Sequence, residues 1–220
     1  MTDEPLWAAP DQSSRLAELI AATGDAAKEM PLRRDVRSLG ILLGKVLVEQ
    51  GGQRLFDVVE QLRRLLIAYR EELSDNRAGT NFENPRMTEA IDIVKRLDIA
   101  DAYLVTKAFA IYFELTNLAE TNHRKRRRRA AKLHTDQPPL PGSFRGTLLR
   151  MKGVGILAED ALSFLKAVKV VPVFTAHPTE VARRTVLFKR RRVGGYLEQL
   201  DHLPLSDADA ELSEEAILAE

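Results

Sequence analysis

A chain of 220 residues, 45% hydrophobic and 30% charged, has the make-up of a folded globular protein of one large or two small domains, not of a disordered segment. Lysine and arginine number 33 against 32 aspartates and glutamates, and the formal charge of +1 excludes a global field that would draw in nucleic acid or an anionic membrane. Cysteine is absent, which excludes disulfides, thiolate metal sites and cysteine nucleophiles.

Residues 1–12 are polar and interrupted by Pro5 and Pro10, so a loose arm is expected there, followed by a short helix over Arg15–Lys28. The start Met1-Thr2-Asp3-Glu4 is acidic and lacks the apolar core of a signal peptide. No run approaches the roughly 18 apolar residues of a membrane span. A soluble, cytoplasmic protein is therefore expected. Val36, Leu39, Leu43, Val46 and Leu47 recur at helical spacing within Arg34–Glu49, and Gly51-Gly52 is expected to end that helix. Leu55, Val58, Val59, Leu62, Leu65, Leu66 and Tyr69 mark the next one, which is apolar on a broad face. Residues 74–86 read as a loop, and Met87–Leu97 as a short helix.

Asp98 suits an N-cap, with Asp101 in the first turn. From there Leu104, Ala108, Ile111, Leu115 and Leu118 continue without a breaker into Arg124–Lys132, predicting a helix of roughly 50 Å. His134–Ser143, with three prolines and a glycine, reads as a loop. Helices are expected over Phe144–Met151 and Ala158–Val168.

Val170, Val171, Val173 and Phe174 then have the β-branched and aromatic character of a buried strand. His177 follows it directly. Pro178 restrains His177 to an extended backbone and suits the first turn of a helix, predicted over Glu180–Arg192. Arg183 and Arg184 near its start oppose the helix dipole, a conflict that an anion would relieve. A titratable imidazole beside an anion site is a candidate catalytic arrangement. The plainer alternatives are a packed core histidine and arginines paired with carboxylates elsewhere. Gly194-Gly195 is expected to stop this helix. Glu198–Glu220 holds eight acidic residues and no lysine or arginine, and Glu211–Glu220 reads as a helix start.

His123-Arg124-Lys125-Arg126-Arg127-Arg128-Arg129 could be read as a nucleic-acid patch. On a helix, however, consecutive residues spread around the whole circumference, and no aromatic residues interleave to stack bases. An internal role is expected instead, such as anchoring the acidic C-terminal segment, with Glu114 and Glu120 partly offsetting the charge. His123, His134 and His202 lack metal-ligand spacing. One convincing strand cannot satisfy its own backbone groups, so the chain is expected to be part of a larger protein or to need a partner.

Phe174-Thr175-Ala176-His177-Pro178-Thr179-Glu180, with Val181-Ala182-Arg183-Arg184-Thr185, resembles the N-terminal active-site signature of the phosphoenolpyruvate carboxylase family. Leu32–Arg37 running on to Gly44 and Glu49, Tyr112–Glu120 with His123 and the arginine run, and Gly142–Thr147 resemble other segments of that family in order. The resemblance covers the chain from about Leu32 to its end. Beyond the flexible arm and short helix read above for residues 1–31, it implies a mostly α chain with a helical region (32–167) and a segment 168–220 holding the first strand of an α/β (TIM-type) barrel, incomplete here.

The resemblance further implies carboxylation of phosphoenolpyruvate with bicarbonate to oxaloacetate and phosphate, with His177 catalytic and Arg183 and Arg184 as candidate substrate-binding residues. Magnesium would be held by residues outside this chain, the whole enzyme would be a homotetramer, and the chain alone would not turn over substrate. The alternative is a non-catalytic helical module that binds an acidic partner or RNA through its basic helix.

Overall fold

The computed structural model describes residues 5–21, 25–75, 84–133, 139, 142–173 and 183–220. Among these residues there are eight helices and no strand: α1 (Gln12–Ile20), α2 (Asp25–Asp75), α3 (Pro85–Lys95), α4 (Ile99–Leu133), α5 (Phe144–Gly153), α6 (Ala158–Ala167), α7 (Arg184–Gln199) and α8 (Asp207–Leu218). The mostly α expectation holds. Short polar side chains open several of them: Asp11 accepts from the amides of Ser13 and Ser14, Asn84 from Arg86, Ser143 from Gly146, and Ser206 from Asp209. Asp98 accepts from the Asp101 amide at 2.7 Å, as its position before α4 predicts.

Two apolar cores share α4, which at 1.5 Å per residue is about 52 Å long. The first gathers Trp7, Leu39, Leu42, Ala119, Val193, Leu197, Leu200, Leu205, Ala210 and Ile217. It joins the start of the chain to α2, α4, α7 and α8. The second, built on Leu55, Leu62, Ala90 and Val105, packs the later half of α2 and α3 against the first half of α4. The halves of α2 meet at Gly52, whose φ of 78° and ψ of 168° interrupt the helix where the glycine pair predicts a break.

Two expectations are corrected, and a third, the strand before His177, is not shown among the described residues. Residues 5–9 are not a loose arm: the Trp7 side chain is fully buried, its indole donates to Asp35 Oδ1 at 3.0 Å, and its amide donates to Glu214 Oε1 at 3.1 Å. Burying an indole outweighs the breaking tendency of the flanking prolines. Gly194-Gly195 does not stop α7, because Val193, Leu197 and Leu200 are buried in the first core and hold the helix through the pair. Residues 168–173 form no strand, and Val170 is 86% exposed. A strand needs a neighbour for its backbone groups, and none is present among the described residues. Phe174 and the rest of the motif as far as residue 182, His177 included, lie outside the described residues, as does His134.

Candidate functional site

The motif is bounded on one side by α6 and the exposed valines and on the other by Arg183, which opens α7. Arg183 is extended (φ −58°, ψ 144°), and no side chain caps this helix end. Arg183 and Arg184 are both exposed, and neither makes an ion pair with a described residue. Val186, Leu187 and Phe188 on the next turn are also exposed. A helix start with two guanidinium groups that no described residue pairs is a ready place for an anion. The structure brings no carboxylate to either arginine, so the alternative in which they pair internally gains no support among the described residues.

From its middle onward α7 is held firmly. Arg190 meets Glu114 at 3.2 Å, while Lys189 and Arg192 meet Glu220 at 3.4 and 2.7 Å. Asn122 Nδ2 donates to the Leu197 carbonyl at 3.1 Å, and Arg15 Nη2 to the Leu200 carbonyl at 3.4 Å. Arg126, 3% exposed, binds Asp201 Oδ2 through Nε at 2.5 Å and Asp35 Oδ2 through Nη2 at 2.6 Å. Burial works against the Arg126 charge, but Asp35 and Asp201 outweigh it and raise its pKa. Burial pushes the Asp35 carboxyl up against the opposing pull of Arg126 and Trp7. Burial, then Arg34, lowers Arg15 to about 10.

The basic run is thus largely used inside the molecule. Arg127 donates to the carbonyls of Glu18, Leu19 and Ala21, closing the C-terminal end of α1. Lys125 meets Glu198 at 3.1 Å, and Arg129 binds the same carboxylate. Arg124 lies 3.7 Å from Glu120. Asp201 and Glu198 belong to the acidic C-terminal segment, so the expected anchoring role holds, and the RNA-binding module finds no support. Sequence reasoning missed the buried members Trp7, Asp35, Asn122 and Arg126. A signal was present: Ala119, Asn122, Arg126 and Ala130 fall on one helical stripe with Ala108 and Leu115.

Among the described residues no three histidine, aspartate or glutamate side chains are grouped to hold a metal ion, so the magnesium implied by the resemblance does not fit a site in them. No helix of the described residues is long and apolar enough to cross a membrane.

A sequence profile of the phosphoenolpyruvate carboxylase family matches residues 32–220. A phosphoenolpyruvate carboxylase of Ralstonia nicotianae is 36% identical over 176 residues, 80% of this chain and 17% of its own length. One of Nitrosomonas eutropha is 34% identical over 188 residues, covering 86% and 19% respectively. One of Rhodopseudomonas palustris is 30% identical over 217 residues, covering 99% and 22%. The chain spans about a fifth of the length of these curated relatives.

Proposed function

The chain belongs to the phosphoenolpyruvate carboxylase family, and from that premise we propose that it is the N-terminal part of an enzyme that carboxylates phosphoenolpyruvate. Bicarbonate oxygen attacks the substrate phosphorus, and the bond from phosphorus to the enol oxygen breaks. This yields carboxyphosphate and the enolate of pyruvate. Carboxyphosphate then divides into carbon dioxide and inorganic phosphate, and the enolate carbon adds to carbon dioxide to give oxaloacetate. His177 handles the proton of carboxyphosphate and steadies the charge released as that intermediate divides. An imidazole titrating near pH 6.5 suits this task.

The observation that carries the reading is the profile match across residues 32–220, which includes the seven-residue motif around His177. Two features of the chain support it. Arg183 and Arg184, exposed and without carboxylate partners among the described residues, stand at an open helix start six and seven positions after His177, where a phosphate or carboxylate oxygen of the substrate can be held. The open valines of residues 170–173 suit a strand that becomes the first of a barrel once neighbouring strands are supplied. The catalytic histidine would then stand at the C-terminal end of that strand, where barrel enzymes keep their chemistry. In this reading residues 32–167 are the helical region around the barrel, residues 168–220 enter it, and the whole protein works in the cytoplasm as a homotetramer.

The test is His177→Asn in the complete polypeptide, with oxaloacetate followed by its reduction to malate by a coupling dehydrogenase. Loss of oxaloacetate formation in a folded variant is expected. Turnover at the unmodified rate would falsify the assignment.

A further inference from the structure

An open groove of about 1170 Å³ runs between the two halves of α2 and the first half of α4, and the proposed reaction makes no use of it. Its apolar walls include Leu32, Val36, Ile41, Val48, Phe56 and Tyr112. A cylinder 10 Å across and about 15 Å long, close to three turns of helix, has this volume. None of the buried polar atoms lacking a hydrogen-bond partner belongs to a residue that lines it, so its polar groups are the charged side chains on the lining and no buried polar atom is left waiting for a ligand. The groove suits apolar side chains instead.

Its charge is uneven. Arg33 and Arg37 are exposed, lie one helical turn apart on the lining, and make no ion pair with a described residue. Arg63 on the opposite wall is already taken by Glu60 in a two-pronged contact of 2.7 and 2.8 Å. Lys45 and Glu49, further along α2, carry opposite charges. A helix lying here needs an apolar inner face and carboxylates toward Arg33 and Arg37.

We propose that this groove is filled by an acidic amphipathic helix of the same carboxylase polypeptide, from the part beyond residue 220. The inference rests on the carboxylase reading, because relatives about five times as long leave some four-fifths of such a polypeptide to supply the helix.

The test uses the complete polypeptide with Ile41→Cys or Val48→Cys. Residues 1–220 contain no cysteine, so a maleimide-labelled peptide from this region, read by mass spectrometry, reports one position. Labelling slower than in the urea-unfolded polypeptide by about tenfold or more is expected at both positions. A photoreactive group on the same cysteines should cross-link to a peptide beyond residue 220 of its own polypeptide. The double variant Arg33→Glu, Arg37→Glu should lose the protection. Labelling as fast as in the unfolded state overturns the proposal. So does a cross-link joining isotope-labelled to unlabelled copies, which would identify a second copy as the occupant. Protection that survives charge reversal overturns the acidic occupant. Oxaloacetate formation is measured on the unmodified polypeptide alongside. Activity without protection defeats the groove inference alone, whereas protection without activity defeats the carboxylase reading and leaves the groove supported.

Discussion

Arg126 holds its charge almost wholly out of water between Asp35 and Asp201, whose side chains are 1% and 5% exposed. A buried ion of this kind is dangerous to remove by one partner only, since the carboxylates left behind lose their compensation. Arg126→Met is therefore expected to cost about 3–5 kcal/mol, read from the urea midpoint. His123, one turn before Arg127 on α4, gives a pH signature. Burial first, then Arg127 and Arg126, lowers its pKa from the usual 6.5. In the window below 6.5 the unfolded chain binds the proton more readily than the folded one. Its contribution to stability is full above pH 6.5 and declines as pH falls toward the lower folded-state value. The urea midpoint should fall just below pH 6.5, and His123→Gln should remove that part of the slope. An internal role for the basic run was legible, but not that His123 and Arg126 are its buried members. Apolar periodicity finds stripes of leucine and valine, and a polar side chain on the same stripe is read as solvated.

The long helices were legible, because the spacing of Val36, Leu39 and Leu43, then of Leu55, Val58, Val59 and Leu62, is a direct imprint of one buried face. The break between them was legible too, and it can be tested. A Cβ on Gly52 would meet nothing within 4 Å, so the cost of Gly52→Ala is set by the backbone alone. With φ at 78° and ψ at 168°, that cost should be about 1–3 kcal/mol. Gly194→Ala should behave oppositely. Gly194 sits inside α7, a Cβ there makes an ordinary contact of 4.0 Å with Leu118, and a gain of about 0.5–1 kcal/mol is expected in thermal unfolding. The glycine pair was misread as a stop because propensity is local, whereas the packing of Val193, Leu197 and Leu200 that overrides it is not. The valines before His177 show the reverse case. Their composition suits a strand, but a strand is a property of two segments, and the second is not among the described residues.

Across the whole molecule, the candidate site was legible as a local signature and not as an arrangement in space. Seven consecutive residues mark His177, while in the proposed barrel the groups facing it would come from distant stretches of polypeptide that no spacing rule can reach. The described part of the chain shows the same asymmetry. Both apolar cores draw on α4, yet α5 and α6 bury no residue at all. The start of the chain, by contrast, is bound to its end: Trp7 touches Glu214 through its amide and Asp35 through its indole. It is also the chain's single tryptophan. Tryptophan emission from residues 1–220 is therefore an optical gauge of one event, the closing of the first residues over α2 and α8. It should be blue-shifted and shielded from iodide while that contact holds. Any treatment that frees the N-terminal segment, even with every helix intact, should turn the emission red and open it to the quencher.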